Sequence, residues 1–118
     1  MNERILKWLY DIKLAIEEID GFFENNPKEL DKYKQNIILK RAVERDLEII
    51  GEAVNRILKN DPTFPMQNAK GIVGLRNQII HVYDGVSDEN IWAIIIKHIP
   101  ALKKEVEEII NDYWYWGA

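Results

Sequence analysis

Apolar residues recur every three or four positions along almost the whole chain, and no stretch alternates convincingly between apolar and polar at period two. That spacing draws one apolar stripe along each of several helices and leaves nothing for a sheet, so helix must be buried against helix. The first stripe covers residues 3 to 24 through Ile5, Leu9, Ile12, Ile16, Ile19 and Phe23. Asn25-Asn26-Pro27 interrupts it, because proline donates no backbone bond and disfavours helical geometry in the residue before it. The second and longest helix is predicted from about Asp31 to Asn60, with Leu39, Val43, Leu47, Ile50, Val54 and Ile57 on its apolar side, and Pro62 and Pro65 stop it. A third covers residues 68 to 83. Ser87-Asp88 then offers capping oxygens for a fourth that begins with Glu89, with Pro100 predicted to kink it. The expected fold is all-α, an antiparallel up-and-down bundle of four main helices with room for a fifth short one, in a single domain over residues 1–118.

Composition agrees and narrows the partners. Hydrophobic residues make up 47% of the 118 and charged residues 31%, too apolar for a disordered chain. Without cysteine, disulfides, thiolate metal sites and a cysteine nucleophile are excluded. The net charge of −4 argues against general electrostatic binding of nucleic acid, so any RNA contact has to be local. Apolar runs such as Trp92 to Ile96 fall far short of the ~20 residues that cross a bilayer, and no membrane partner is expected. The opening Met1-Asn2-Glu3-Arg4 lacks the apolar core of a secretory signal, from which a cytoplasmic location is expected. Helix four carries Ile91, Trp92, Ile94, Ile95, Ile96 and Ile99 on more than one side, and burial of that surface against a second copy predicts a homodimer.

The segment Gly71 to Tyr83 holds the chemistry. At ~100° per residue, Arg76 and Tyr83 fall inside an apolar arc made by Ile72, Val73, Ile79 and Ile80, while Asn77 and His81, four apart, stack at its edge. A guanidinium on an apolar face needs a carboxylate, phosphate or carbonyl partner. The plainer reading is an internal ion pair with Glu44, Glu48 or Glu52 of helix two. The functional reading rests on the combination: arginine supplies fixed positive charge for a phosphate, and histidine moves a proton near neutral pH.

Arg76-Asn77, His81 and Tyr83 read as R-N-x3-H-x-Y, which resembles the R-x4-H-x-Y signature of HEPN-domain toxins of the HepT type, partners of MntA nucleotidyltransferase antitoxins. Glu44 to Ala53 resembles that family's second conserved helix, and Ile91-Trp92 with Ile99-Pro100-Ala101-Leu102 its last one. The likeness covers about residues 40 to 110; Met66-Gln67 stands where many relatives have an aromatic residue, and the first 40 residues match only as an amphipathic helix. The resemblance implies a metal-independent, cofactor-free ribonuclease with its cleft across a homodimer. Arg76 would hold the scissile phosphate, His81 would move a proton at the 2′-hydroxyl or the leaving oxygen, and Asn77 would orient one of them. It also makes Tyr83 the acceptor of AMP from a nucleotidyltransferase antitoxin, a modification that would block RNA. On an ideal helix Arg76 and His81 stand ~140° apart, which two antiparallel copies could repair.

Two other readings stand beside this one. The bundle could be a non-catalytic module that holds a nucleotide or docks a nucleotidyltransferase, or a plain helical interaction protein with Arg76 paired internally. Lys40, Arg41 and Arg45 could form a local basic patch, or a solvated face balanced by Glu44, Asp46 and Glu48. Asp11, Glu17, Glu18 and Asp20 read as the solvated side of helix one, His98 as surface or packing, and Gly51 as a close helix contact. Gly71 and Gly74 lack the setting of a phosphate loop. For Tyr113-Trp114-Tyr115-Trp116, packing on a neighbour is favoured over base stacking.

Overall fold

The computed structural model describes residues 2–69, Ile72, Gly74 and 87–116, and the regular structure among them is entirely helical. Helix α1 is Glu3–Phe22, started by the Asn2 side chain, whose oxygen accepts from the Ile5 N–H at 2.9 Å. Its buried residues, Ile5, Leu9, Ile12, Ala15, Ile16 and Ile19, are the expected stripe.

The long second helix is in fact two. Leu30–Gln35 forms a short α2 and Ile37–Asn60 forms α3, with Asn36 extended between them at φ −105° and ψ 93°. The break has a local cause, because the Asn36 carboxamide accepts from the Leu39 N–H at 3.0 Å and so caps α3 from within the polar run Lys34-Gln35-Asn36. The short α2 is held by Tyr33, fully buried, whose ring lies 5.4 Å from that of Trp92, which in turn meets Phe23 edge-on at 5.7 Å.

The last helix starts where its cap was predicted, with the Ser87 hydroxyl accepting from the Asn90 N–H at 3.1 Å. It runs as α4 (Asp88–Ala93), a π segment (Ile94–His98) and α5 (Ile99–Trp116), with helical dihedrals at the joins. Pro100 therefore acts one turn upstream of itself. Its ring would collide with the Ile96 carbonyl and it has no N–H to offer, and widening that turn moves the carbonyl aside.

Among the described residues, helices α1 and α3 share the largest contact. Trp8 meets Arg56 across one groove between them and Glu18 meets Asp46 across another, so the two run antiparallel. α5 returns beside α1, with Lys103 pairing Asp20 at 3.0 Å and the Trp114 indole donating to the Tyr10 hydroxyl at 2.9 Å. The core between them takes Leu39, Val43, Leu47, Ile50, Val54 and Ile57 from α3 and Ile91, Ile95, Ile99, Leu102, Val106 and Ile110 from the last helix. Each such side chain contributes roughly 1.5–3 kcal/mol. The apolar excess of helix four is thereby mostly buried within the chain, and of its isoleucines only Ile96 counts as exposed. The uncovered aliphatic surface lies on α1 and α3 instead, at Leu14, Ile37, Ile38 and Ile49.

One prediction arises here. The buried Tyr33 hydroxyl has no hydrogen-bond partner among the described residues, and burial, then Glu44 and Asp88, push its pKa above the ordinary tyrosine range. Tyr33→Phe keeps the ring against Trp92 and removes the stranded hydroxyl, so it is expected to be neutral or to stabilise the fold by up to ~1 kcal/mol. Urea unfolding of the two proteins checks this, and a loss beyond that size would mean the hydroxyl has a partner.

Candidate active site

Arg76, Asn77, His81 and Tyr83 lie outside the described residues; of the third helix expected over residues 68 to 83, Asn68 and Ala69 are described and are not helical, so its start at 68 is not met, while Ile72 and Gly74 are described as helix. The described residues on either side of this segment show how it is tied to the bundle.

On its N-terminal side the two prolines expected to end α3 are joined by a turn that closes on Asp61. The Asp61 carboxylate accepts from the Thr63 N–H at 3.1 Å and the Thr63 hydroxyl at 2.9 Å. The chain then crosses to α5, where the Glu105 carboxylate accepts the N–H groups of Gln67 at 2.9 Å and Asn68 at 3.2 Å. Ionised acceptors make the stronger bonds of this kind, so Glu105 is a firm anchor for the backbone that leads into the motif. Ala69 and Ile72, both buried, follow it into the core, and Ile72 donates to the Ala69 carbonyl at 3.2 Å. Glu105 escaped the sequence reading because nothing marks a carboxylate 38 positions away from Gln67 as a cap.

On the C-terminal side the first turn of α4 is pinned to α2 and α3. Asp88 pairs with Lys40 at 3.0 Å, both side chains about four-fifths covered, and Glu89 pairs with Lys34. The second pair holds the Glu89 carboxyl below its usual range and the Lys34 ammonium above its own, through their shared hydrogen bond. These carboxylates also favour the positive end of α4. Lys40, for which a basic patch and a balanced solvated face were both open, is committed to an ion pair with Asp88.

The three carboxylates offered as partners for Arg76 stand on one side of α3. Glu44 pairs with Arg41 at 3.3 Å and Glu52 with Arg56 at 3.1 Å, both within the helix. Glu48 and Glu52 also line a groove of about 310 Å³ with Trp8, Asp11, Ile49, Ala53 and Arg56. Whether any of them meets Arg76 lies outside the described residues.

Asp46 departs from expectation most. It was read as part of a solvated face, yet it is 2% exposed, turned toward α1 where Glu18 stands, with its Oδ2 unpartnered among the described residues. Its position explains this, because at ~100° per residue it falls within ~20° of the buried Leu39, Ala53 and Ile57. Burial first, and then the Glu18 carboxyl beside it, push its pKa up to about 7 against the opposing pull of Arg45. The rest of the acidic side of α1 is exposed or half-buried and paired: Asp11 with Lys7, Glu17 with Lys13 and Asp20 with Lys103.

The weaker candidates fall into place. His98 is exposed within the π segment, and among the described residues no cluster of histidines and carboxylates could hold a metal. A Cβ at Gly74 would meet open space, and Gly51 is buried within α3. Trp114 docks edge-on to Tyr113 and bonds Tyr10 yet stays exposed, and Tyr115 is 82% exposed, so packing accounts for only part of that cluster. No described helix is long and apolar enough to cross a membrane.

Comparison with known proteins gives the motif its setting. The family model described as "Ribonuclease HepT-like" matches residues 12–109. The protein named "Putative RNase MJ1216" from Methanocaldococcus jannaschii is 39% identical over 114 residues, 95% of this chain and 93% of its own length. "Putative RNase TTE0752" from Caldanaerobacter subterraneus is 36% identical over 107 residues, 87% and 88% of the two chains. "Probable ribonuclease HepT" from Thermococcus cleftensis is 36% identical over 110 residues, 86% and 92% of the two. No solved structure matches the chain.

Proposed function

The chain belongs to the HepT-like ribonuclease family, and from that premise we propose that it is the toxin of a toxin–antitoxin pair, an endoribonuclease that cuts RNA without a metal ion. The observation that carries this reading is the ungapped spacing of Arg76, His81 and Tyr83 inside the matched region. In this reading the ribose 2′-hydroxyl attacks the neighbouring phosphorus and the bond to the 5′-oxygen breaks. The products are a 2′,3′-cyclic phosphate and a 5′-hydroxyl, with no water or metal needed in the step. Arg76 binds the phosphate and offsets the charge that grows on its oxygens, His81 takes the proton from the 2′-hydroxyl or delivers one to the leaving oxygen, and Asn77 orients His81 or the phosphate. The cleft lies across a homodimer, which brings Arg76 and His81 of two copies to one phosphate.

The Tyr83 hydroxyl is the proposed switch. A nucleotidyltransferase antitoxin transfers AMP to it from ATP with release of pyrophosphate, and the added bulk and negative charge exclude RNA from a site that binds phosphate.

The test is incubation of a mixed RNA pool with the purified protein in EDTA. Fragments ending in cyclic phosphate are expected, and intact RNA from protein shown by mass spectrometry to carry no AMP would overturn the nuclease reading in favour of a binding module. With the cognate transferase and ATP, the parent is expected to gain one or more AMP masses and lose cleavage, and Tyr83→Phe to gain none. Equal labelling of that variant would remove Tyr83 from the role.

A further inference from the structure

The two grooves between α1 and α3 share Asp11 and Ile49 and so join into one trough; the groove that holds Glu18 and Asp46 has a volume of about 220 Å³. Its lining is sorted along its length. Asp46 of α3 and Glu18 of α1 stand together at one end, Asp11 stands seven positions back along α1, and Leu14, Ala15 and Ile49 make the wall between them. At 1.5 Å per residue the two anionic ends are ~10 Å apart. The charge at these ends is poorly answered within the chain. Asp46 is 2% exposed, and no described group donates to its Oδ2. Glu18 is exposed and forms no ion pair among the described residues. Asp11 is held by Lys7 in a surface pair whose side chains are 36% and 71% exposed, a contact that is worth little and exchanges readily.

A buried acceptor without a donor is costly, and a second carboxyl beside it adds to the cost. The group that relieves both is a cation, and the spacing sets its shape. A compact metal ion cannot gather carboxylates ~10 Å apart, since its oxygen ligands stand within about 2.6 Å of it. Among the described residues no cluster fits one. A lone ammonium or guanidinium satisfies one end and leaves the apolar stretch uncovered, where Leu14 is 61% exposed. Two ammonium groups joined by methylenes match both features, as a lysine stem does when it lies along apolar surface with its charge at the tip. Chains of about six to nine bonds place their terminal nitrogens ~7–11 Å apart, which spans the trough from Asp46 to Asp11.

We propose that the groove between α1 and α3 binds a linear aliphatic polyamine, with one ammonium between Asp46 and Glu18, another at Asp11, and the methylene chain over Leu14, Ala15 and Ile49. The site uses none of the residues assigned to RNA cleavage, so failure of the ribonuclease reading leaves it standing. A cation seated there favours the ionised form of Asp46. The charged groups that face this carboxyl are Glu18 and, farther along, Asp11 from α1, and Arg45 from its own helix; Glu18 holds the proton on and Arg45 draws it off. In the chain alone Asp46 loses its proton only at about pH 7, whereas aliphatic ammonium groups stay charged to about pH 10. Binding therefore releases a proton below pH 7 and tightens as the pH rises to 8.

The test is isothermal titration calorimetry of the full chain with spermidine at pH 8 and pH 5.5, with butylamine and magnesium chloride as comparisons. Saturable binding of one spermidine per chain is expected at pH 8, and binding at least about tenfold weaker at pH 5.5. Butylamine, which reaches one end only, and magnesium are each expected to bind at least about tenfold more weakly than spermidine. Asp46→Asn and Glu18→Gln keep the shape of the groove, and circular dichroism and melting temperature check that both are folded. Each is expected to lower spermidine affinity at least about tenfold at pH 8, and Asp46→Asn to lose most of the pH dependence. A parent that takes up no spermidine at millimolar concentration would overturn the site. Undiminished binding by folded Asp46→Asn and Glu18→Gln proteins would place the ligand elsewhere, and displacement of spermidine by magnesium at equal ionic strength would reduce the effect to diffuse attraction by an acidic surface; either result overturns the proposal.

Discussion

Replacing His81 by alanine is expected to lower RNA cleavage on the order of 10²- to 10⁴-fold, the usual contribution of one positioned proton donor or acceptor. On the proposed mechanism the loss falls on kcat, because the imidazole acts in the transition state while the phosphate is still held by Arg76. Arg76→Ala is expected to cost about 10²- to 10³-fold and to raise KM as well, since the guanidinium binds the ground-state phosphate and the developing charge. Arg76→Lys should not rescue it, because an ammonium lacks the planar fork that spans two phosphate oxygens. The two losses should not add, as the groups serve one step. The check is steady-state cleavage of a short RNA in EDTA by each variant, with melting temperatures beside it. Undiminished cleavage by a folded His81→Ala protein would remove His81 from the mechanism.

That expectation rests on sequence chemistry, and its structural support is indirect: the segment that carries Arg76 and His81 enters from a backbone held by Glu105 and leaves into a turn held by Lys34 and Lys40. Neither anchor could be read from the chain, because each joins residues 37 or more positions apart and spacing reports only neighbours on one helix. Periodicity did locate the stripes of α1 and α3, since Leu9, Ile16, Leu47 and Val54 recur at the pitch that tertiary packing then uses. The break at Asn36 was missed for a physical reason. A polar run without glycine or proline looks like the wet side of a helix, and whether asparagine caps or continues depends on what Tyr33 and Leu39 find to pack against. Pro100 announced an irregularity but not its kind, as the widened turn upstream and a kink both relieve the same collision. Asp46 was legible and misread: its place in the arc with Leu39, Ala53 and Ile57 marks a buried position, and its charge was taken to outweigh its angle.

Asp46 also carries the second large expectation, a fall in folding stability as pH rises. An unfolded chain ionises this carboxyl near 3.8, whereas the folded chain holds its proton up to about 7. Between those values the folded state binds more protons at this group than the unfolded one, so the contribution of Asp46 to stability is most favourable below pH 4, declines across that window and is least favourable above it. Three units correspond to ~4 kcal/mol, an upper bound, because Glu18 shares the proton and Arg45 opposes the shift, so about 2–3 kcal/mol is the expected range. Asp46→Asn keeps the shape and a donor toward Glu18 without the ionisation. It is expected to match the parent near pH 4 and to exceed it by about 2–3 kcal/mol at pH 8, measured as urea midpoints at both values. An equal gain at both pH values would locate the effect in packing and not in charge. A residue that lowers stability near neutral pH yet sits where asparagine or an aliphatic would fit breaks the agreement between burial and polarity seen across the rest of this core.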